Sequence, residues 1–336
     1  MKVALFGLHA FELPFLDAAN RAHGHVLTDM GARLAPATAR LAAGFTAVSL
    51  FAHDRADREA LQILAAGGTR FLALRSAGFN HVDLEAAEEL GIRVARVPAY
   101  SPHAIAEHAI GLLLMVVRKL HKAVQRTREL DFSLEGLLGF DLAGKTVGVV
   151  GTGRIGAVVA RILTGFGCKV LASDPVQDPL LCALGVKYVA WEELLASSDV
   201  ITLHCPLTPS THHLINAAAL RRCKPGLVLV NTCRGGVVDT RAVIEALKSK
   251  HLGGLALDVY EVEDGVFFRD LSGDGLDDDV LARLLTFPNV VVTAHQGFFT
   301  REALTAIASI TLGNISAFER GELDPANEVH AARELR

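Results

Sequence analysis

The stretch TVGVVGTGRIGAVVARIL, residues 146–163, allows few folds. An apolar strand runs straight into three glycines spaced G-x-G-x-x-G, and a helical pattern follows. In a strand–turn–helix unit Gly151 permits the tight turn, Gly153 lets backbone approach a pyrophosphate, and Gly156 lets the helix pack closely on the sheet. The helix N-terminus offers N–H groups to phosphate, with Thr152, Arg154 and Ile155 around it. The next strand, KVLASD, ends in Asp174. A carboxylate there accepts hydrogen bonds from ribose hydroxyls and repels a 2′-phosphate, so the pattern points to NAD rather than NADP. The plainer reading makes Asp174 a turn residue before Pro175.

Strand-like and helix-like segments alternate on both sides of this motif. KVALF, HVLT, TAVSL, FLAL and IRVA precede it, and TVGVVG, KVLASD, DVITLHC, GLVLVN, GGLALD and NVVVTAH contain and follow it. Continuous apolar strands separated by helices predict parallel sheets covered on both faces. Six candidates in the second series suffice for a dinucleotide-binding sheet. The helix after Ser101 and Pro102 is apolar on nearly every side and is expected to be buried between two domains. The last helix, within residues 300–336, is expected to return to the first domain. The expected fold class is therefore α/β, with two doubly wound parallel-sheet domains. Residues 101–297 form a Rossmann domain inserted into a flavodoxin-like domain made of residues 1–100 and 298–336, and the ligand sits in the cleft between them.

The chain has 336 residues, 51% of them hydrophobic and 21% charged, with a net charge of −4. No basic cluster calls for nucleic acid. The longest apolar run, residues 109–117, is too short to span a bilayer, which needs about 20 residues. The first residues show no secretory signal. Five cysteines without C-x-x-C spacing argue against a disulfide framework or a zinc site and for a reducing compartment, so no metal and a cytoplasmic location are expected.

Three strand ends in the second series carry polar groups. LVLVNTCRGG ends near Arg234, LALDVYEVED delivers Asp258, Glu261 and Glu263, and VVVTAH delivers His295. Ligands of open α/β sheets bind beyond the carboxyl ends of the strands. A guanidinium can fork onto a substrate carboxylate and polarise a keto oxygen. An imidazolium can deliver a proton near neutral pH, and a neighbouring carboxylate favours its charged form. Arg234, His295 and Glu263 fit these roles. An interdomain ion pair, a core histidine and a solvated acidic turn are the plainer readings of the same residues.

The sequence resembles the D-isomer-specific 2-hydroxyacid dehydrogenase family over nearly its whole length. VVGTGRIG, HCPLTPSTHHLIN, NTCRGGVVDTRAVIEAL and ALDVYEVE are similar to blocks shared across the family. RSAGFNHVDL, VPAYSPHAIAEHAIGLLL, EDGVFFRDLSGDGLDDDVLARLLTFPNV and TAHQGFFTREAL are similar to its D-lactate dehydrogenase branch. The resemblance implies that Arg234 binds substrate, that His295 is the acid-base and that Glu263 is its carboxylate. It implies that the backbone N–H groups of Ala77 and Gly78 hold the substrate carboxylate, with Tyr100, Phe298 and Phe51 around the substrate. Arg154, Ile155, Asp174, Cys205, Pro206, Thr232, Cys233 and Asp258 match cofactor contacts, and Thr211 stands at a further contact position where some relatives carry asparagine.

The activity so implied is reversible, NADH-dependent reduction of pyruvate to D-lactate by a homo-oligomer. Phenylpyruvate, hydroxypyruvate or glyoxylate would use the same machinery. A corepressor that senses NAD without turnover is the alternative of another class, and the intact Arg, Glu and His set speaks against it.

Overall fold

A computed structural model of the chain describes residues 1–331. They divide into two compact units, Met1–Ser101 with the segment from Phe299 onward, and Pro102–Phe298. In chain order the first unit opens with β1 (Lys2–Leu5), α1 (Leu13–Asn20), β2 (Val26–Asp29) and β3 (Ala47–Leu50), followed by α2 (Arg58–Ala66), β4 (Phe71–Leu74), α3 (Leu84–Glu89) and β5 (Arg93–Ala95). The second unit begins with α4 (Pro102–Val117), α5 (Leu120–Arg128), β6 (Thr146–Val150) and α6 (Arg154–Gly165). It continues with β7 (Lys169–Ser173), α7 (Pro179–Ala183), β8 (Lys187–Tyr188), α8 (Trp191–Ser197), β9 (Val200–Leu203) and α9 (Ala217–Arg222). It closes with β10 (Leu227–Asn231), α10 (Thr240–Lys248), β11 (Leu252–Leu257), α11 (Asp279–Leu285) and β12 (Val290–Val292). The chain then returns to the first unit in α12 (Arg301–Arg320) and β13 (Glu328–Val329).

The first unit's sheet runs β13-β5-β4-β3-β1-β2 and is parallel except at β13, which pairs antiparallel with β5. Every residue of β3 and β4 is buried, as strands covered on both faces must be. One face carries α2 and α3; on the other, α12 lies on α1 and β4. Thr300 caps α12 by accepting from the Ala303 N–H, and Gly321 ends it in left-handed backbone, φ +73°.

The second unit's sheet runs β12-β11-β10-β9-β6-β7-β8 and is parallel throughout. Read from β6, the chain goes outward to β7 and β8, then returns past β6 to β9 and onward. The order reverses beside β6, where such sheets open a crevice at their carboxyl edge. This sheet has one more strand than the sequence pattern suggests, because β8 is only two residues long. β12 ends at Val292, so His295 stands on a turn beyond the strand. The burial of α4 comes from its packing on β10, β11, β12 and α6. No described helix is long and apolar enough to cross a membrane.

Candidate active site

At the carboxyl end of β6, Gly151 adopts φ +84°, and a Cβ there would meet the Cys205 N at 2.7 Å. A Cβ on Gly156 would sit 1.9 Å from the Gly151 carbonyl oxygen, so only glycine lets α6 start this close to the strand. Gly153 is the N-cap of α6, contributes no capping side chain and faces open space. The first N–H groups of α6 are thus presented beside that space, with Arg154 exposed and Ile155 half-buried at its first turn. Asp174 follows β7, and its carboxylate accepts from the Thr152 N–H (2.7 Å) and the Val176 N–H (2.8 Å). The Tyr188 hydroxyl donates to Thr152 Oγ1 at 2.9 Å, which ties the edge strand β8 to the loop.

Cys205 and Pro206 follow β9, and Thr232 and Cys233 follow β10. Thr232 Oγ1 is buried with no hydrogen-bond partner in the protein, a condition native structures rarely leave unanswered. With the open space at Gly153 and the N-terminus of α6, it suits a dinucleotide lying along this edge. The Thr211 hydroxyl instead donates to the Pro206 carbonyl (2.6 Å) and accepts from the Thr208 N–H (2.8 Å), so it holds its own turn together. His204 is half-buried and bonded through Nε2 to Thr202 Oγ1 (2.8 Å); desolvation of the ring pushes its pKa down to about 3, so it stays neutral.

Arg234 follows Cys233 and is half-buried. Its Nη1 donates to the Cys233 carbonyl (2.7 Å), and its own carbonyl accepts from Asn231 Nδ2 (2.9 Å). At the end of β11, Asp258 is only 2% exposed. Its Oδ1 accepts from Thr293 Oγ1 (2.5 Å), the Gln296 N–H (2.9 Å) and His108 Nε2 (3.2 Å), and its Oδ2 from the Gly297 N–H (2.9 Å). Its backbone carbonyl accepts from the His295 N–H at 2.7 Å. Burial alone would raise this carboxyl, but the bonds from His108 and Thr293 win and hold it at about 2. A permanent anion therefore gathers the turn that carries His295. A Cβ on Gly297 would lie 2.9 Å from Asp258 Oδ2, so the turn closes this tightly only with glycine there.

The turn leaves His295 in left-handed backbone, φ +53°. Its Nδ1 stands 2.7 Å from Glu263 Oε2, while Glu263 Oε1 accepts from the Tyr260 N–H at 2.9 Å. A carboxylate partner at that distance places a proton on Nδ1. Glu261, two residues earlier, is engaged elsewhere: it accepts from His213 Nε2 (2.6 Å) and from the Thr240 N–H (2.8 Å) at the start of α10. The Phe268 ring lies 6.1 Å from His295 and 6.4 Å from Phe298, which is half-buried.

The remaining candidate residues belong to the first unit. Phe51 follows β3 and is buried, with its N–H on Asp54 Oδ2 (2.6 Å) and the His9 ring edge-on at 4.8 Å. Ser76 Oγ donates to the Gly78 carbonyl (2.7 Å) and Arg96 Nη1 to the Ala77 carbonyl (3.0 Å), which fixes the peptide planes of that turn. Tyr100 is the penultimate residue before α4.

His108, Thr293 and Phe268 were not among the residues singled out from sequence. An imidazole on an otherwise apolar helix was the available signal for His108. Phe268 gave none, since its place depends on how the long segment after Glu263 folds.

A sheet that reverses beside a glycine loop, with an imidazole–carboxylate pair past its strand ends, defines a dinucleotide-dependent oxidoreductase. The family profile described as D-isomer specific 2-hydroxyacid dehydrogenase, NAD binding domain, matches residues 110–297. The D-lactate dehydrogenase of Escherichia coli K12 is 48% identical over 325 residues, covering 97% of this chain and 99% of that protein. The apo-structure of D-lactate dehydrogenase from Escherichia coli has a TM-score of 0.89 at 47% identity, covering 98% of this chain and 100% of that one. A D-lactate dehydrogenase from Aquifex aeolicus complexed with NAD and lactic acid has a TM-score of 0.86 at 33% identity, covering 95% and 96%. The chain belongs to the D-isomer-specific 2-hydroxyacid dehydrogenase family and groups with its D-lactate dehydrogenase branch; it is an NAD-dependent oxidoreductase acting on a D-2-hydroxy acid.

Proposed function

We propose that this protein is a D-lactate dehydrogenase that reversibly reduces pyruvate. The observation that carries the reading is the 2.7 Å contact between His295 Nδ1 and Glu263 Oε2 in the same unit as Arg234 and the glycine loop. In the second unit, the N-terminus of α6 with Thr152, Gly153, Arg154 and Ile155 holds the pyrophosphate, and Asp174 accepts the ribose hydroxyls. Cys205, Pro206, Thr232, Cys233 and Asp258 flank the nicotinamide end, where Thr232 Oγ1 gains a partner. Bound NADH supplies the hydride. Arg234 forks onto the substrate carboxylate and polarises the keto oxygen. His295 delivers a proton from Nε2 to that oxygen and takes it back in the reverse direction, while Glu263 steadies the imidazolium.

The N–H groups of Ala77 and Gly78 are the groups assigned to the substrate carboxylate, and Phe51, Tyr100 and Phe298 those assigned to limiting the size of the C3 group. Five free cysteines support a reducing, cytoplasmic setting in fermentation. A run of exposed apolar side chains in residues 130–138 supports a homo-oligomer.

The test is steady-state turnover of pyruvate, phenylpyruvate, hydroxypyruvate and glyoxylate with NADH and with NADPH, followed by chiral analysis of the product. The reading expects pyruvate with NADH to give the highest kcat/KM, and D-lactate as product. Preference for a bulkier acid, or L-lactate as product, would overturn it.

A further inference from the structure

We propose that the segment between Glu263 and Asp278 is a strap that seats Phe268 beside His295, and that Tyr260 is the positioning residue that latches it. The proposal rests on the reading of His295 as the proton donor and adds residues that act through it.

Both ends of the strap are tied to the turn after β11. At its start the Glu263 carbonyl accepts from the Val266 N–H (3.1 Å) and the Phe267 N–H (3.0 Å). At its end Asp278 caps α11, with Oδ1 accepting from the Val280 and Leu281 N–H groups, both at 2.9 Å. The other oxygen of that carboxylate reaches back: Oδ2 accepts from the Tyr260 hydroxyl at 2.9 Å. Tyr260 is 4% exposed, and its own N–H donates to Glu263 Oε1 at 2.9 Å. One tyrosine thus holds the far end of the strap with its side chain and the Glu263 carboxylate with its main chain. Burial first, then Asp278, pushes this hydroxyl above its ordinary range, so it stays protonated and donates.

Between these ties Val266, Phe267, Phe268 and Leu276 pack on the hydrophobic core of the second unit. Phe268 sits in left-handed backbone, φ +59°, which a bulky side chain adopts only where its surroundings impose it. That backbone delivers a ring 6.1 Å from the His295 imidazole and 6.4 Å from Phe298. The His295 and Glu263 side chains are 27% and 15% exposed, so solvent still reaches the pair. An apolar ring on its flank keeps water off and strengthens the attraction of imidazolium for carboxylate. The ring also resists rotation of the imidazole out of its 2.7 Å contact with Glu263.

The main chain of Tyr260 is fixed independently of its hydroxyl. A Cβ on Gly235 would lie 1.9 Å from the Tyr260 carbonyl oxygen, so this residue is wedged against the turn that carries Arg234. Loss of the hydroxyl alone therefore frees the strap and leaves Arg234 in place.

The test uses Tyr260→Phe, Asp278→Ser and Phe268→Leu in the full-length chain. Phenylalanine keeps the buried ring of Tyr260. Serine keeps a capping oxygen for α11 and loses the one that meets the tyrosine. Each variant should lower kcat for pyruvate by about tenfold or more, while KM and NADH affinity stay near the parental values. The double variant Tyr260→Phe with Asp278→Ser should lose no more than either single one, because both break the same contact. In protein carrying isotope-labelled histidine, the His295 ring resonance is assigned by its absence in His295→Ala. It should move in all three variants as the ring current of Phe268 is withdrawn. Parental kcat in Tyr260→Phe, single losses that add in the double variant, or a His295 resonance that stays in place would overturn the proposal. Parental turnover of pyruvate in His295→Ala would instead sink the proton-donor reading, and the resonance alone would then judge the strap.

Discussion

Glu263 Oε2 stands 2.7 Å from Nδ1 of His295, a residue held in left-handed backbone at φ +53°. Such backbone costs a non-glycine residue about 1–3 kcal/mol when imposed by its surroundings. Here the His295 N–H on the Asp258 carbonyl, with the Gln296 and Gly297 N–H groups on the Asp258 carboxylate, offsets that cost. The imidazole is aimed by its own main chain as well as by Glu263.

His295→Ala should lose several orders of magnitude in kcat for pyruvate while NADH still binds, because the proton donor goes and the glycine loop stays. Glu263→Gln should lose about 10²–10⁴-fold, since an amide can hold the ring but cannot balance its charge. Stopped-flow turnover beside NADH fluorescence titration separates the two effects. Wild-type kcat in His295→Ala refutes the assignment.

Arg234→Lys replaces a planar fork with a point charge. The KM for pyruvate should rise about tenfold or more, and the affinity for NADH should change little. Saturation at the wild-type pyruvate concentration would remove Arg234 from substrate binding.

How much of this was legible in the sequence follows the range of the interactions. The G-x-G-x-x-G loop and Asp174 are local, set by one turn and the strand after it, so spacing revealed them. The pairing of His295 with Glu263 spans 32 residues, and it was readable because both follow strands that end at the same sheet edge. The anchorage of Asp258 by His108 spans 150 residues, and no periodicity encodes a contact between a helix and a distant strand end. β8 escaped notice because two residues cannot show an alternation. His295 appeared to close a strand because VVVTAH reads continuously, yet the carboxylate of Asp258 draws the chain into a turn after Val292.

Asp258→Asn should destabilise the protein by about 2 kcal/mol at neutral pH, from the fall of its pKa from 3.8 to about 2. The folded value is the lower one, so the contribution is complete above pH 3.8 and is lost as pH falls through about 2. An amide also puts an NH₂ group against the Gly297 N–H or the Gln296 N–H, which loosens the His295 turn and lowers kcat. Denaturant unfolding and turnover are the two measurements. Unchanged stability with lower NADH affinity would reduce Asp258 to a cofactor contact.

The acid limb of stability should have a source in the first unit. His25 Nε2 lies 2.9 Å from Ser316 Oγ on α12, and the same hydroxyl is 2.8 Å from His23 Nδ1. His25 Nδ1 faces the Met1 amino group at 3.1 Å, and Glu319 approaches at 3.9 Å. Burial first, then the amino group, lowers the pKa of His25 from 6.5, despite Glu319. The unfolded chain therefore takes up a proton that the folded one refuses. Stability from this residue is present above pH 6.5 and is lost as pH falls from there toward the folded value. His25→Gln, which can still reach Ser316, should flatten the decline from about pH 7.5 to about pH 5. Chemical unfolding across that range decides it; an unchanged slope would mean that other groups drive the decline.

The exposed apolar side chains between α5 and β6 carry the last expectation. Leu130, Phe132, Leu134 and Leu138 are 73–87% exposed, and all four fall within nine consecutive residues. A monomer exposing such a group loses the transfer free energy of each side chain, about 1.5–3 kcal/mol apiece if fully buried. A second copy of the chain, offering the same segment across a two-fold axis, would bury them pairwise. Leu134→Asp with Leu138→Asp should then halve the mass measured by light scattering while circular dichroism keeps the wild-type helix content. Because these residues lie outside both hydrophobic cores of the second unit, the substitutions test association rather than folding. A wild-type mass in the double variant would mean that another surface joins the subunits.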